Sequence, residues 1–206
     1  MRLIIIMLSM LHFSVLAENW QTYKAQGDLV VEYRQQAGLV QIRSQVQAIS
    51  GIGAFLHLLE DTDNITDWVE NSERAELLGH PDSHTHVVHT YFSAPWPVSK
   101  RDMVLQSVWS QDKISGVVTL KITDLGQHLP EVEGYVRMQQ VQAEWTLTPG
   151  REGRLHIQYT GQADPAGKLP QFISNKVALK ATYATFQQLP RVLAQYQRIY
   201  PGLSEP

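Results

Sequence analysis

The chain has 206 residues, a formal charge of −3, 43% apolar residues and no cysteine. That length supports one core burying roughly 70% of the unfolded surface. The mild acidity argues against non-specific nucleic-acid binding, and the missing cysteine excludes disulfides and a cysteine-borne lipid anchor.

Residues 1–17 read as a secretory signal: a basic Arg2, an apolar run from Leu3 to Leu8 continued by Met10, Leu11 and Phe13, and Val15-Leu16-Ala17 before the cut. The run is short for a spanning helix, which needs ~20 apolar residues. Cleavage leaves residues 18–206, with sixteen basic and twenty acidic side chains, as a single domain. It is expected in a periplasm or outside the cell, as a monomer.

Leu29 to Arg34 and Leu39 to Ala48 form a hairpin about Gln35-Gln36-Ala37-Gly38. Ser50 is placed to cap a helix whose Ile52, Phe55, Leu56 and Leu59 share one face. Ile65, Trp68 and Val69 repeat that spacing in a second short helix. Strand patterns follow at 75–79, 84–92, 102–110, 114–124, 134–147 and 152–162, with turns at Pro81-Asp82, Ser115-Gly116 and Pro149-Gly150. Pro95 and Pro97 make a stiff corner ahead of the strand that begins at Asp102. In that strand Met103, Leu105, Ser107 and Trp109 lie on one face, and Asp102, Val104, Gln106 and Val108 on the other. From Leu169 to about Ile199 the period becomes helical. Phe172, Asn175, Leu179, Tyr183, Phe186, Leu189 and Leu193 make one stripe, and Pro190 is expected to kink or break the helix near Leu189. The layout is α+β: an antiparallel sheet covered by one long helix.

The chemistry-bearing clusters are thin. His84 and His86 share a strand face while His89 points away, and two ligands fall short of a metal site, so no metal is expected. No nucleophile motif, P-loop or dinucleotide fingerprint occurs, and no catalytic residue or cofactor is assigned. Arg74, Arg137 and His156 are candidate polar pocket residues. Arg101 and Asp102 read as a structural ion pair or turn clamp.

Five stretches resemble the START domain, the steroidogenic-acute-regulatory-type lipid-transfer module, in the right order. They are GDLVVEYR (27–34), FLHLLEDTDNITDW (55–68), PVSKRDMVLQSVW (97–109), YVRMQQVQAEWTLTP (135–149) and ADPAGKLPQFISN (163–175). The resemblance implies a helix-grip fold: a curved antiparallel β-sheet wrapped around a long C-terminal α-helix, with a central hydrophobic tunnel for one lipid. It implies tunnel walls from Trp68, Tyr91, Met103, Leu105, Ser107, Trp109, Arg137, Phe172, Asn175, Leu179, Tyr183 and Phe186, with Arg137 or Asn175 at a headgroup. Opening would need the last helix, or the loop 124–134, to move away. Ala166 replaces a glycine of the family's DPGG turn and is expected to avoid positive φ. The buried acid–arginine pair of sterol-binding members falls here on a position near Arg74 and on Ser107, which argues against a sterol. The expected function is an exported carrier of one lipid or other hydrophobic small molecule; the alternative is an enzyme of the polyketide-cyclase-like type using the same pocket.

Between Ala166 and Ser204 stand five basic residues and no acid. Of these, Lys168, Lys176 and Lys180 are candidates for contact with an anionic membrane surface.

Overall fold

The computed structural model describes residues 19–94, 98–196 and 198–204. The expected signal and the Pro95–Pro97 corner lie outside the described residues. The strands are β1 (Gln21–Gln26), β2 (Leu29–Gln36), β3 (Leu39–Ile49), β4 (Ser72–Asp82), β5 (Thr85–Phe92), β6 (Lys100–Gln111), β7 (Val118–Asp124), β8 (Tyr135–Arg137), β9 (Gln139–Pro149) and β10 (Arg154–Asp164). Helix α1 (Ile52–Glu60) follows β3, and α2 (Gln171–Leu193) closes the fold; 3-10 turns occur at Thr62–Asp67, Gly126–His128 and Arg151–Gly153. The strands join in the order β1-β2-β3-β10-β9-β7-β6-β5-β4, all antiparallel, and β8 pairs with β6 in parallel. This is the curved sheet with a C-terminal helix that the helix-grip reading anticipates.

The hairpin between β2 and β3 turns on Ala37 and Gly38, both at positive φ (49° and 84°), the geometry whose twist suits a two-residue connection. The β1 strand was not anticipated: all six residues are exposed, so no alternation marks it. The run expected at 134–147 is two strands, broken before Gln140 at φ 52°. The 114–124 run starts late, because Asp112 holds a turn by accepting hydrogen bonds from Ile114 N, Ser115 N and Ser115 Oγ.

Ser50 does not cap α1. The N-cap is Gly51, and the Ser50 amide instead donates to the carbonyl of Gly153. The second short helix is a 3-10 turn ending one residue before buried Trp68. Helix α2 runs through Pro190 to Leu193, past the expected break. Leu189, Val192 and Leu193 are fully buried, so packing holds the turn that the proline weakens.

The core gathers where α1 and the C-terminal half of α2 meet the sheet. Phe55, Leu56 and Leu58 of α1 join Leu147, Leu155, Ile157, Leu120 and Val118 of the sheet and Phe186, Leu189, Val192 and Leu193 of α2. Trp145 is the hub: its ring lies 5.4 Å from Phe186 and nearly parallel to it, 5.1 Å from Phe55 and 4.7 Å from Tyr159.

Candidate ligand groove on the inner face

Cross-strand pairs identify the sheet face that looks toward α2. Tyr159 stands opposite Trp145, Trp145 opposite Leu120, and Leu120 opposite Trp109. Directly opposed side chains share a face, and the Trp145–Phe186 stack makes it the inner one. The neighbouring row on that face is Ile42, Gly161, Ala143, Ile122, Ser107 and His86. Leu105 opposite Val88 and Met103 opposite Thr90 extend it.

The two parts of this face differ in exposure. Leu120, Trp109 and Trp145 are buried. Ala143, Ile122, Ser107, Leu105, Val88 and Met103 are only half-buried, although each stands in a strand flanked by others. Their accessible surface therefore opens over the sheet and not at an edge. Helix α2 packs on β2 and β3, on the far side from β5 and β6. The inner face of β5, β6, β7 and β9 thus carries half-exposed, mostly apolar side chains beyond the strands on which α2 packs, a candidate floor for a ligand groove.

The expected wall residues separate accordingly. Met103, Leu105, Ser107 and Trp109 lie on the inner face. Phe186 and Leu179 are buried from the helix side and Trp68 from the turn after α1. Tyr183 is buried but turned to the first hairpin: its hydroxyl donates to Gln26 Oε1 at 2.6 Å, and Lys24 Nζ lies 4.0 Å from its ring. Asn175 is half-buried. Phe172 is corrected from wall to surface: it is 74% exposed, on the side of the first turn of α2 opposite buried Ser174. The indole N–H groups of Trp68 and Trp109 are buried without an acceptor.

Tyr91 and Arg137 are corrected more sharply, because both lie on the outer face. Tyr91 and Arg137 stand opposite Asp102 on its two sides, and Asp102 has the opposite orientation to Met103. Arg137 donates from Nε to Asp102 Oδ2 at 2.8 Å, from Nη1 to Gly126 O at 2.5 Å and from Nη2 to Pro130 O at 3.0 Å. His89 Nε2 lies 2.7 Å from the same carboxylate oxygen, and the Tyr91 hydroxyl 3.0 Å from His89 Nδ1. Asp102 is fully buried. All of Arg137's capacity is thus spent fastening the 125–130 loop to the sheet, so this loop is anchored on the outer face and Arg137 is not free for a headgroup.

Arg101 points the other way and donates to the carbonyls of Pro165 and Ser99; burial lowers its pKa. Arg101 and Asp102 therefore clamp two different loops and do not pair with each other. The Pro165 clamp acts on the turn in which Ala166 takes φ 53°, contrary to expectation. Asp164 Oδ1 accepts the Ala166 amide at 2.8 Å, and the two contacts hold alanine in a conformation glycine would adopt freely.

The other polar candidates also leave the groove. Arg74 is exposed, paired with Glu76 and laid over the Tyr91 ring. His156 lies on the outer face, in a surface depression of about 400 Å³ with Gln47, Gly150, Arg151, Glu152 and Arg154. A second cavity, of about 430 Å³, sits on the outer face among Leu78, Val87, Val104, Leu125 and Leu129. The histidine-rich stretch divides: His84 is in the β4–β5 turn with its ring 4.3 Å from Trp109, His86 is buried on the inner face with the His80 ring 4.8 Å from it, and His89 joins Asp102. Burial lowers the pKa of His86, and the nearby Glu60 carboxylate offsets part of that.

Comparison with known proteins agrees with this geometry. An uncharacterized protein of Pseudomonas aeruginosa is 24% identical over 184 residues, covering 85% of this chain and 87% of its own. The crystal structure of a STAR-related lipid transfer protein from Xanthomonas axonopodis superposes with a TM-score of 0.77 at 26% identity, covering 85% of this chain and 99% of that one. The human StAR-related lipid transfer protein 5 shares the fold, with a TM-score of 0.72 at 16% identity, covering 85% of this chain and 86% of that one. The START-domain family model matches residues 10–198, so the chain belongs to the START-domain family.

Proposed function

We propose that the protein is an exported carrier that holds one lipid or similar amphipathic molecule in the groove between α2 and the inner face of β5, β6 and β7. Its mechanism is binding and release. The observation that carries this reading is the run of half-exposed apolar side chains, Val88, Met103, Leu105, Ile122 and Ala143, on a face whose other half is sealed core. Covering such a surface with an alkyl chain gains ~0.8 kcal/mol per methylene. Ser107, Thr90 opposite Met103, His86 opposite Ser107 and the Trp109 indole N–H are polar features of this face. Ser107 carries no charge and Arg74 is exposed, and the buried Asp102–Arg137 pair lies on the outer face, so among the described residues the pairing associated with sterols has no counterpart on the inner face.

The exposed side of α2 supplies a docking face for the membrane that gives or takes the cargo. Phe172, Lys176 and Lys180 are exposed at i, i+4 and i+8, and Lys168 is exposed just before the helix. An aromatic flanked by lysines suits an anionic headgroup layer, where each lysine contributes ~1 kcal/mol. Sedimentation with anionic liposomes should fall about five-fold for each of Lys176→Ala and Lys180→Ala; equal binding to neutral vesicles would end this part of the proposal. The carrier reading is tested by native mass spectrometry of protein from its own source, followed by solvent extraction. A bound hydrophobic species of defined mass is expected. Protein that is ligand-free, and stays so after incubation with lipid vesicles, would overturn it.

A further inference from the structure

Glu60 ends α1, His80 lies near the end of β4, and His86 is the second residue of β5. The register of β4 on β5 slips between Leu77 and Gly79 and again between Gly79 and Asp82. Bulges re-aim side chains, and here the ring of His80 is brought edge-on to that of His86 at 4.8 Å between centroids. One ligand atom from each of the three residues lies within 4.8 Å of the other two.

We propose that Glu60, His80 and His86 form a site for a divalent transition-metal ion of the zinc type. Two imidazoles and a carboxylate are a donor set that suits Zn²⁺ and its neighbours and does not suit Mg²⁺ or Ca²⁺, which take oxygen ligands. With metal–ligand bonds of about 2.0–2.1 Å, tetrahedral ligand atoms stand roughly 3.3 Å apart. Glu60 Oε1 and His86 Nε2 already do so, at 3.1 Å. His80 is exposed, so its ring is free to swing inward and complete the set. The other two are preorganised. His86 is 3% exposed and fixed within a paired strand. The Tyr200 hydroxyl donates to Glu60 Oε1 at 2.5 Å, the kind of outer partner that orients a metal-binding carboxylate. Three protein ligands leave a coordination position for water or a ligand atom. His86 stands opposite Ser107, which places the site on the inner face of the sheet.

The stretch HPDSHTHVVH (80–89) contains two of these ligands, but alternation pairs His86 with His84, which instead lies against Trp109; the partners come from a helix end and a bulged edge strand.

The test uses the mature chain stripped with a chelator and titrated with Zn²⁺ alone by calorimetry, with Co²⁺ absorption as a geometric readout. One Zn²⁺ per chain is expected, with the visible bands of four-coordinate Co²⁺. His80→Ala, an exposed change, should weaken binding at least roughly 100-fold, and Glu60→Gln similarly. Tyr200→Phe should cost about 10-fold. His84→Ala should change nothing. No binding, binding that survives His80→Ala, or equal losses for His80→Ala and His84→Ala would overturn the site. None of these readouts depends on a lipid, so the site and the carrier reading fail separately.

Discussion

At one end of the inner face, Trp145 is enclosed by Phe55, Tyr159 and Phe186. A few residues along the same strands, Leu105, Ile122 and Ala143 remain half exposed. The sheet is continuous through both regions, so the difference comes from what lies opposite. The closed end meets α1 and the C-terminal half of α2, with Phe55, Leu56, Leu58, Phe186 and Leu189 all fully buried. The N-terminal half of α2 turns Phe172, Lys176, Val177 and Lys180 to solvent and buries Ser174 and Leu179, while the helix as a whole packs on β2 and β3. The bulky side chains of α1 and of the C-terminal half of α2 finish the core at the closed end.

Substitutions at the two ends should therefore behave differently. Phe186→Ala at the closed end should cost about 3–5 kcal/mol in denaturant unfolding, because it removes a stacked ring from a filled core. Arg137→Ala on the outer face should cost a similar ~3–5 kcal/mol, since it leaves the Asp102 carboxylate buried without its cation. It should also raise hydrogen exchange in residues 125–130 while leaving cargo binding in place, which separates the clamp from the groove. Leu105→Ala at the open end should cost only about 1 kcal/mol, as a half-exposed leucine loses less burial. Leu105→Trp should leave stability near wild type and reduce retained lipid at least tenfold. If Leu105→Ala proved as costly as Phe186→Ala, the two ends would be equally filled and the comparison would fail.

The smallest effect concerns the tail behind the closed end. Asp61 accepts hydrogen bonds from Asn64 Nδ2 at 2.8 Å and from the Tyr196 hydroxyl at 2.7 Å. These, led by Asn64, lower its pKa. A carboxylate depressed on folding adds stability above its unfolded value, 3.8, and that contribution is lost as the pH falls through the folded value. Asp61→Asn should cost under about 1 kcal/mol at pH 7, because the site is largely solvated. The difference from wild type should vanish in acid, as followed by thermal melts at several pH values.

Much of this architecture is legible in the residues. Alternation located β2, β3 and β6, and the stripe through Leu179, Phe186, Leu189 and Leu193 located α2, because in each case burial imposes a period; β5 was marked by its β-branched and aromatic residues, since its burial does not alternate. Where burial is absent the signal is absent, as in β1. The orientation of Met103 to Trp109 also followed from alternation, but which face Tyr91 and Arg137 occupy did not. That depends on register between strands distant in sequence, and β8 reaches β6 by a parallel pairing across 35 residues from Asp102 to Arg137. Pro190 misled in the opposite sense, since a local rule was outweighed by three buried neighbours. The Glu60–His80–His86 cluster was beyond reach for a further reason: a bulge shifts parity, and nothing in a single strand's pattern announces one.

The sheet does not close into a barrel, and its two outermost strands finish it in different ways. β1 is short and solvent-facing, carries Lys24, and slips register between Thr22 and Lys24; β4 is interrupted repeatedly and holds Gly79 and Pro81 near its end. Irregular rims of this sort present a poor template for a strand from another molecule. A protein with half-exposed apolar side chains on its inner face is thereby spared the commonest route by which open sheets polymerise.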